Sequence, residues 1–117
     1  MRNDKCLFLD LDGTCFSHTG DLYDIMTTKV VLLDGVVDFF KKCREDGVYM
    51  VITTARPESL RQFTISQMTK HGLWCDQLVM GLPTGKRIVI NDNKPNGDGT
   101  ARGICVERNK GLRSIVL

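Results

Sequence analysis

The chain has 117 residues, a formal net charge of +2, 42% hydrophobic and 26% charged residues. That is the size and balance of one globular domain; the charge is too small to argue for a nucleic-acid or membrane partner, and an anionic substrate is compatible with it without being implied. No apolar run reaches the length of a membrane span, and the first five residues lead straight into a strand, so neither a span nor a secretory leader is expected. Cys6, Cys15, Cys43, Cys75 and Cys105 are odd in number, scattered and without a Cys-x-x-Cys pair. They read as reduced thiols of a cytoplasmic protein, most of them packing as small hydrophobes.

Residues 6–9 form an apolar run that stops at Asp10 and Asp12, with Gly13 next. The run predicts a buried parallel strand, and the two acids then sit where it leaves the sheet. In open α/β sheets that carboxyl-end crevice is where ligands bind. Two acids there repel each other unless a cation or a shared proton intervenes. A hard divalent ion resolves the repulsion, and carboxylates beside a phosphorylated substrate suit magnesium. Asp10 is then placed to attack phosphorus, and Asp12 to trade a proton with the leaving oxygen.

The string Asp10-Leu11-Asp12-Gly13-Thr14 after an apolar strand resembles the first motif of the haloacid dehalogenase superfamily, mostly magnesium-dependent phosphatases. The resemblance implies a Rossmann-like α/β three-layer sandwich with a mostly parallel central sheet. It implies one such domain over residues 1–117, without a cap. Residues 15–33 hold a turn cluster and a short apolar run. By resemblance they are a helical turn and a β-hairpin flap beside the site. His18 reads as a solvent-exposed loop histidine.

Asp34 reads as the N-cap of a helix that Gly47 ends. Val36, Phe39, Phe40 and Cys43 fall on one apolar face of it. Residues 48–53 predict a second strand, running into Thr54-Ala55-Arg56-Pro57-Glu58 and then a helix to about His71. The inner face of that helix (Leu60, Phe63, Thr64, Gln67, Met68, His71) is only partly apolar. A hydroxyl at a strand end beside free helix N–H groups makes a clamp for phosphate oxygens. The resembled second motif is a strand ending in Thr or Ser with a small residue and arginine following. It assigns Thr54, with Thr53 in reserve and Ala55 and Arg56 at the substrate.

Residues 76–80 predict a third strand and residues 87–91 a fourth, ending at Asp92. By resemblance that fourth strand delivers Asp92 to the metal beside Asp10 and Asp12, with Asn91 where many members carry a second aspartate. Residues 102–106 read as the last inner strand, 114–117 as an edge strand or packed tail, and 96–100 as a connector. The superfamily's phosphate-binding lysine has two candidates. Order along the chain prefers Lys86; geometry prefers Lys94, because a five-residue strand holds Lys86 roughly 16 Å from Asp92. Only residues 81–86 separate the third and fourth strands, although a parallel crossover usually needs about a dozen residues. In the short capless relatives that the chain resembles, Gly-Lys-Pro-x-Gly stands where this chain has Gly81-Leu82-Pro83-Thr84-Gly85.

Together these readings predict a magnesium-dependent phosphomonoester hydrolase working through an aspartyl-phosphate. Magnesium would sit on Asp10, the backbone carbonyl of Asp12, and Asp92. Gly13 and Thr14 would flank the phosphate, and Thr54 and a lysine would hold its oxygens. The substrate expected by resemblance is a small phosphorylated sugar or sugar acid, with a neighbouring subunit of a homo-oligomer covering the open site. A nucleic-acid 3′-phosphatase or nucleotidase is the enzymatic rival, and the chain lacks the basic, aromatic-studded stripe a nucleic acid would want. A magnesium-binding module without catalysis is the other alternative. A receiver-like module would want an aspartate at the end of the third strand, which is missing.

Overall fold

Strand β1 (Cys6–Asp10) grows from the first apolar run and pairs in parallel with β2 (Tyr49–Thr53). Strand β2 pairs in parallel with β3 (Gln77–Val79), giving the sheet order β1-β2-β3. The register sets Asp10 opposite Thr53 and Thr53 opposite Val79, so the three strand tips lie level at one edge. This is the computed structural model of the chain, describing residues 4–27 and 29–117; residues 1–3 of the expected amino-terminal lead, and residue 28 in the flap region, lie outside it.

Between β1 and β2 the chain forms α1 (Leu22–Thr27) and α2 (Val36–Glu45). All four residues of the expected apolar face of α2 are buried, and Phe40 and Val36 are fully so. They pack with Leu9, Leu11, Phe16, Met50 and Ile52 into the main core. Removing a buried phenylalanine side chain from such a core costs about 3–5 kcal/mol. Trp74 closes one side: its ring meets Phe40 edge-on at 6.2 Å, and the Arg44 guanidinium lies 4.4 Å over it. After β2, a 3₁₀ turn (Glu58–Leu60) leads into α3 (Arg61–Lys70), with Pro57 at the entrance. None of the helices among the described residues is long and apolar enough to cross a membrane.

Several expectations are corrected. Asp34 does not cap α2. Gly35, in a left-handed conformation, takes the N-cap position without a side-chain bond, and the Asp34 carboxylate binds Arg113 instead. Strand β1 is not sandwiched on both faces, because Phe8 remains 61% exposed. Residues 87–91 are not a strand. Ile88, Val89 and Ile90 run exposed beyond β3, since the seven residues between it and residue 87 are too few to carry the chain back for a parallel partner. Residues 102–106 also lack ladder pairing, although Val106 packs against the core. Ile115 and Leu117 pack there as a tail. The flap is a pairing of residues 15–17 with 31–33: Ser17 N–H donates to Val31 O at 2.8 Å and Leu33 N–H to Cys15 O at 2.9 Å.

Candidate active site

The acid pair straddles the tip of β1, and its two members meet different surroundings. Asp10 is the last strand residue and faces solvent, accepting one side-chain bond, from the Thr14 hydroxyl at 3.1 Å. Leu11 between them is fully buried, which turns the chain inward and brings Asp12 beneath the surface. Gly13 then takes φ +89°, a value other residues rarely adopt, and its N–H donates to Phe16 O at 2.6 Å. A tight loop returns on itself there.

Arg56 meets Asp12 from the tip of β2. Its Nε and one terminal nitrogen donate to the two Asp12 oxygens at 2.8 and 2.7 Å. The other terminal nitrogen donates to Thr64 Oγ1 at 3.2 Å and Gln67 Oε1 at 2.8 Å, both on α3. The Arg56 side chain is 1% exposed and that of Asp12 18%. A desolvated guanidinium needs a charge partner and filled N–H bonds, and this one has both. The polar positions of α3 are thereby explained: Thr64 and Gln67 face inward to satisfy a buried cation.

Thr54 lies one residue past β2, buried, with its hydroxyl accepting from the Arg56 N–H at 3.1 Å. Its carbonyl accepts from Leu82 N–H and its own N–H donates to Val79 O, tying the exit of β2 to that of β3. Ala55 is half-buried beside it. Arg56, expected at the substrate, is instead turned inward onto Asp12.

Other expected residues lie elsewhere. Asp92 sits in an exposed segment, where Thr100 donates to its carbonyl and also accepts from Asn91 at 2.6 Å. Among the described residues no group of three or more His, Cys, Asp and Glu side chains is placed to hold a metal ion, so Asp92 does not join Asp10 and Asp12. Lys86 and Lys94 are exposed and form no ion pair among the described residues. The geometric preference for Lys94 rested on a strand that does not form. A cleft of about 380 Å³ lies between α1 and α3, lined in part by Gln67 and His71. It includes neither acid; the pair stands on an open edge of the sheet.

Two groups escape a local reading of the sequence. Cys15 donates its thiol to Asp10 O at 3.3 Å, and burial, with Asp10 and Asp12 nearby, pushes that thiol far above its ordinary range. Residues 108–109 return from the far end of the chain to the acid loop: Asn109 N–H donates to Gly13 O, and Asn109 Oδ1 accepts from His18 N–H, both at 2.8 Å. The string Asn109-Lys110-Gly111 has turn composition, but nothing local in it specifies where it lands.

No family model matches the chain, and no curated protein matches it. Solved structures to which it is similar include a chain of the Pnkp1/Rnl/Hen1 complex, at 24% identity over 72% of this chain with a TM-score of 0.57. This chain spans 30% of that one. Another is the crystal structure of an MCSG target from Vibrio cholerae, at 22% identity with a TM-score of 0.52, covering 73% of this chain and 79% of the other. At these identities the likeness is one of fold, an α/β arrangement on a three-stranded parallel sheet of the Rossmann-like kind.

Proposed function

We propose that the chain is a phosphomonoesterase of the haloacid dehalogenase type. The observation that carries this is the division of labour between two acids one residue apart. Asp10 is open to solvent at the strand tip, and Asp12 is fixed by a buried guanidinium. Asp10 would attack phosphorus in line. The ester P–O bond breaks and the leaving oxygen takes a proton that Asp12 first acquires from solvent, since Arg56 pairs with it as the carboxylate in the resting site. Arg56 engages each Asp12 oxygen once, so lone pairs remain on the side away from the guanidinium for that proton. In the second step Asp12 takes a proton from water, whose oxygen attacks the aspartyl-phosphate, and Asp10 is released as carboxylate. The Thr14 hydroxyl orients the Asp10 oxygen, and Thr54 holds the loop that presents Arg56.

A magnesium ion that keeps most of its water fits the donor set, since it asks for one or two protein oxygens beside phosphate. The Asp10 carboxylate and the Asp12 backbone carbonyl would hold it, and when bound it would neutralise phosphate charge. The open edge suits a small phosphorylated sugar or sugar acid covered by a second copy of the chain. It equally admits a large phosphorylated end such as a nucleic-acid 3′-phosphate, which is the second reading. Purified protein is expected to hydrolyse a generic aryl phosphate with magnesium, and not in excess chelator. Asp10→Asn should abolish turnover, and undiminished activity in that variant would sink the mechanism. A panel of sugar phosphates, nucleotides and 3′-phosphorylated oligonucleotides then separates the two substrate readings.

A further inference from the structure

Residues 107–111 carry no regular structure, yet they are fixed to the acid loop. Besides its bonds to Gly13 and His18, Asn109 adopts φ +63°, a left-handed conformation found in no other non-glycine residue among those described. Such a conformation is disfavoured for any non-glycine residue, and asparagine bears it best. Strain of this kind persists where the surroundings hold it in place.

What it positions is Arg108. A Cβ on Gly13 would lie 3.3 Å from Arg108 Cγ and 3.8 Å from its Nε, so the arginine stem crosses directly over the glycine of the acid loop. The other described arginines all have partners: Arg56, Arg61 and Arg113 pair with carboxylates, Arg87 and Arg102 donate to carbonyls, and Arg44 covers Trp74. Arg108 is exposed and, among the described residues, has no hydrogen bond, ion pair or ring contact. An uncommitted arginine therefore stands with its Nε beside Gly13, the residue that separates Asp12 from Thr14 in the sequence.

We propose that Arg108 is the phosphoryl-binding cation of this site, the part expected of Lys86 or Lys94; the assignment deepens the phosphomonoesterase reading and rests on it. A guanidinium presents two parallel N–H groups to two phosphate oxygens, and the missing Cβ of Gly13 lets it approach the loop where those oxygens would sit.

Two measurements test this on the full chain: inorganic phosphate binding by calorimetry, and kcat and KM on an aryl phosphate with magnesium. Arg108→Gln keeps the aliphatic stem over Gly13 and removes the charge. It should weaken phosphate binding about 10- to 100-fold and raise KM by a similar factor. Arg108→Lys should recover part of the loss, and Lys86→Ala and Lys94→Ala should match the parent. Unchanged phosphate affinity in Arg108→Gln, or a parent chain that binds no phosphate, overturns the assignment. If the parent hydrolyses the ester and Arg108→Gln does so with the same constants, the assignment falls and the phosphatase reading stands. If nothing is hydrolysed yet phosphate affinity still depends on Arg108, the anion site stands and the phosphatase reading falls.

Discussion

Arg56 reaches from the end of one strand to Asp12 beyond the end of its neighbour and grips both carboxylate oxygens, at 2.7 and 2.8 Å, while lying almost wholly out of water. A buried ion pair contributes little over an apolar pair of the same shape, but losing one partner strands the other. Arg56→Ala is therefore expected to lower unfolding stability by about 3–5 kcal/mol, read from the urea midpoint. Arg56→Lys should recover little, because an ammonium cannot serve Asp12, Thr64 and Gln67 from one plane. A loss under about 1 kcal/mol in Arg56→Ala would mean the pair is not desolvated as described.

The thiols should separate by burial. Cys6 and Cys105 are exposed, whereas Cys15 and Cys43 are buried, and burial pushes both of the latter thiols up. Native protein treated with iodoacetamide near neutral pH should label Cys6 and Cys105 first. Cys75, half-buried and also raised, should follow slowly, and Cys15 and Cys43 should react only on unfolding. Peptide mass spectrometry reads the order directly. Early labelling of Cys15 would contradict its burial against Asp10.

Two glycines make a controlled comparison. Gly111 and Gly72 both adopt positive φ, at +86° and +78°. Around Gly72 nothing lies within 4 Å of an added Cβ, whereas at Gly111 it would fall 2.1 Å from Asp34 O. Gly72→Ala should cost only the backbone strain, about 1–2 kcal/mol. Gly111→Ala should cost more, by chemical denaturation, because the 108–113 segment must move off the turn before α2. Equal losses would show that this contact is not held.

Acid should weaken the same contact. Arg113 bonds to Asp34 and, with its charge, holds that carboxyl below the usual carboxylate range. A depressed folded value means the stabilisation is complete above the unfolded carboxylate range and is lost as pH falls through the folded one. The advantage of the parent over Asp34→Asn should thus be constant from pH 5 to 7 and shrink below about pH 4. Both side chains are well exposed, so the advantage should be small and should fade in 1 M salt. An advantage that grows in acid would reverse the sign.

Much of this was legible because it is local. Continuous apolar runs marked β1 and β2, and spacing of three and four residues marked the buried face of α2. The acid pair at the strand tip followed from the same run. What misled was also local: Ile88-Val89-Ile90 has strand composition, but a strand needs an edge to pair with and a connector long enough to reach it. The partner of Asp12 was hidden for another reason. In the sequence Arg56 reads as a ligand for substrate, whereas in the fold Thr64 and Gln67 satisfy it from behind and it faces Asp12. Residues 108–109 carry no local sign of their destination, because their contacts lie near the opposite end of the sequence.

Asn109 meets His18 across 91 positions. On the ribosome, then, β1, β2 and β3 are all synthesised before the residue that braces the acid loop has emerged. Closing so long a loop is slow, and its cost is met only when both ends are present. This edge of the sheet therefore stays unfinished until residues 108 and 109 are free to fold back onto it, and a nascent chain that still holds them in the exit tunnel should lack the phosphate affinity proposed for Arg108.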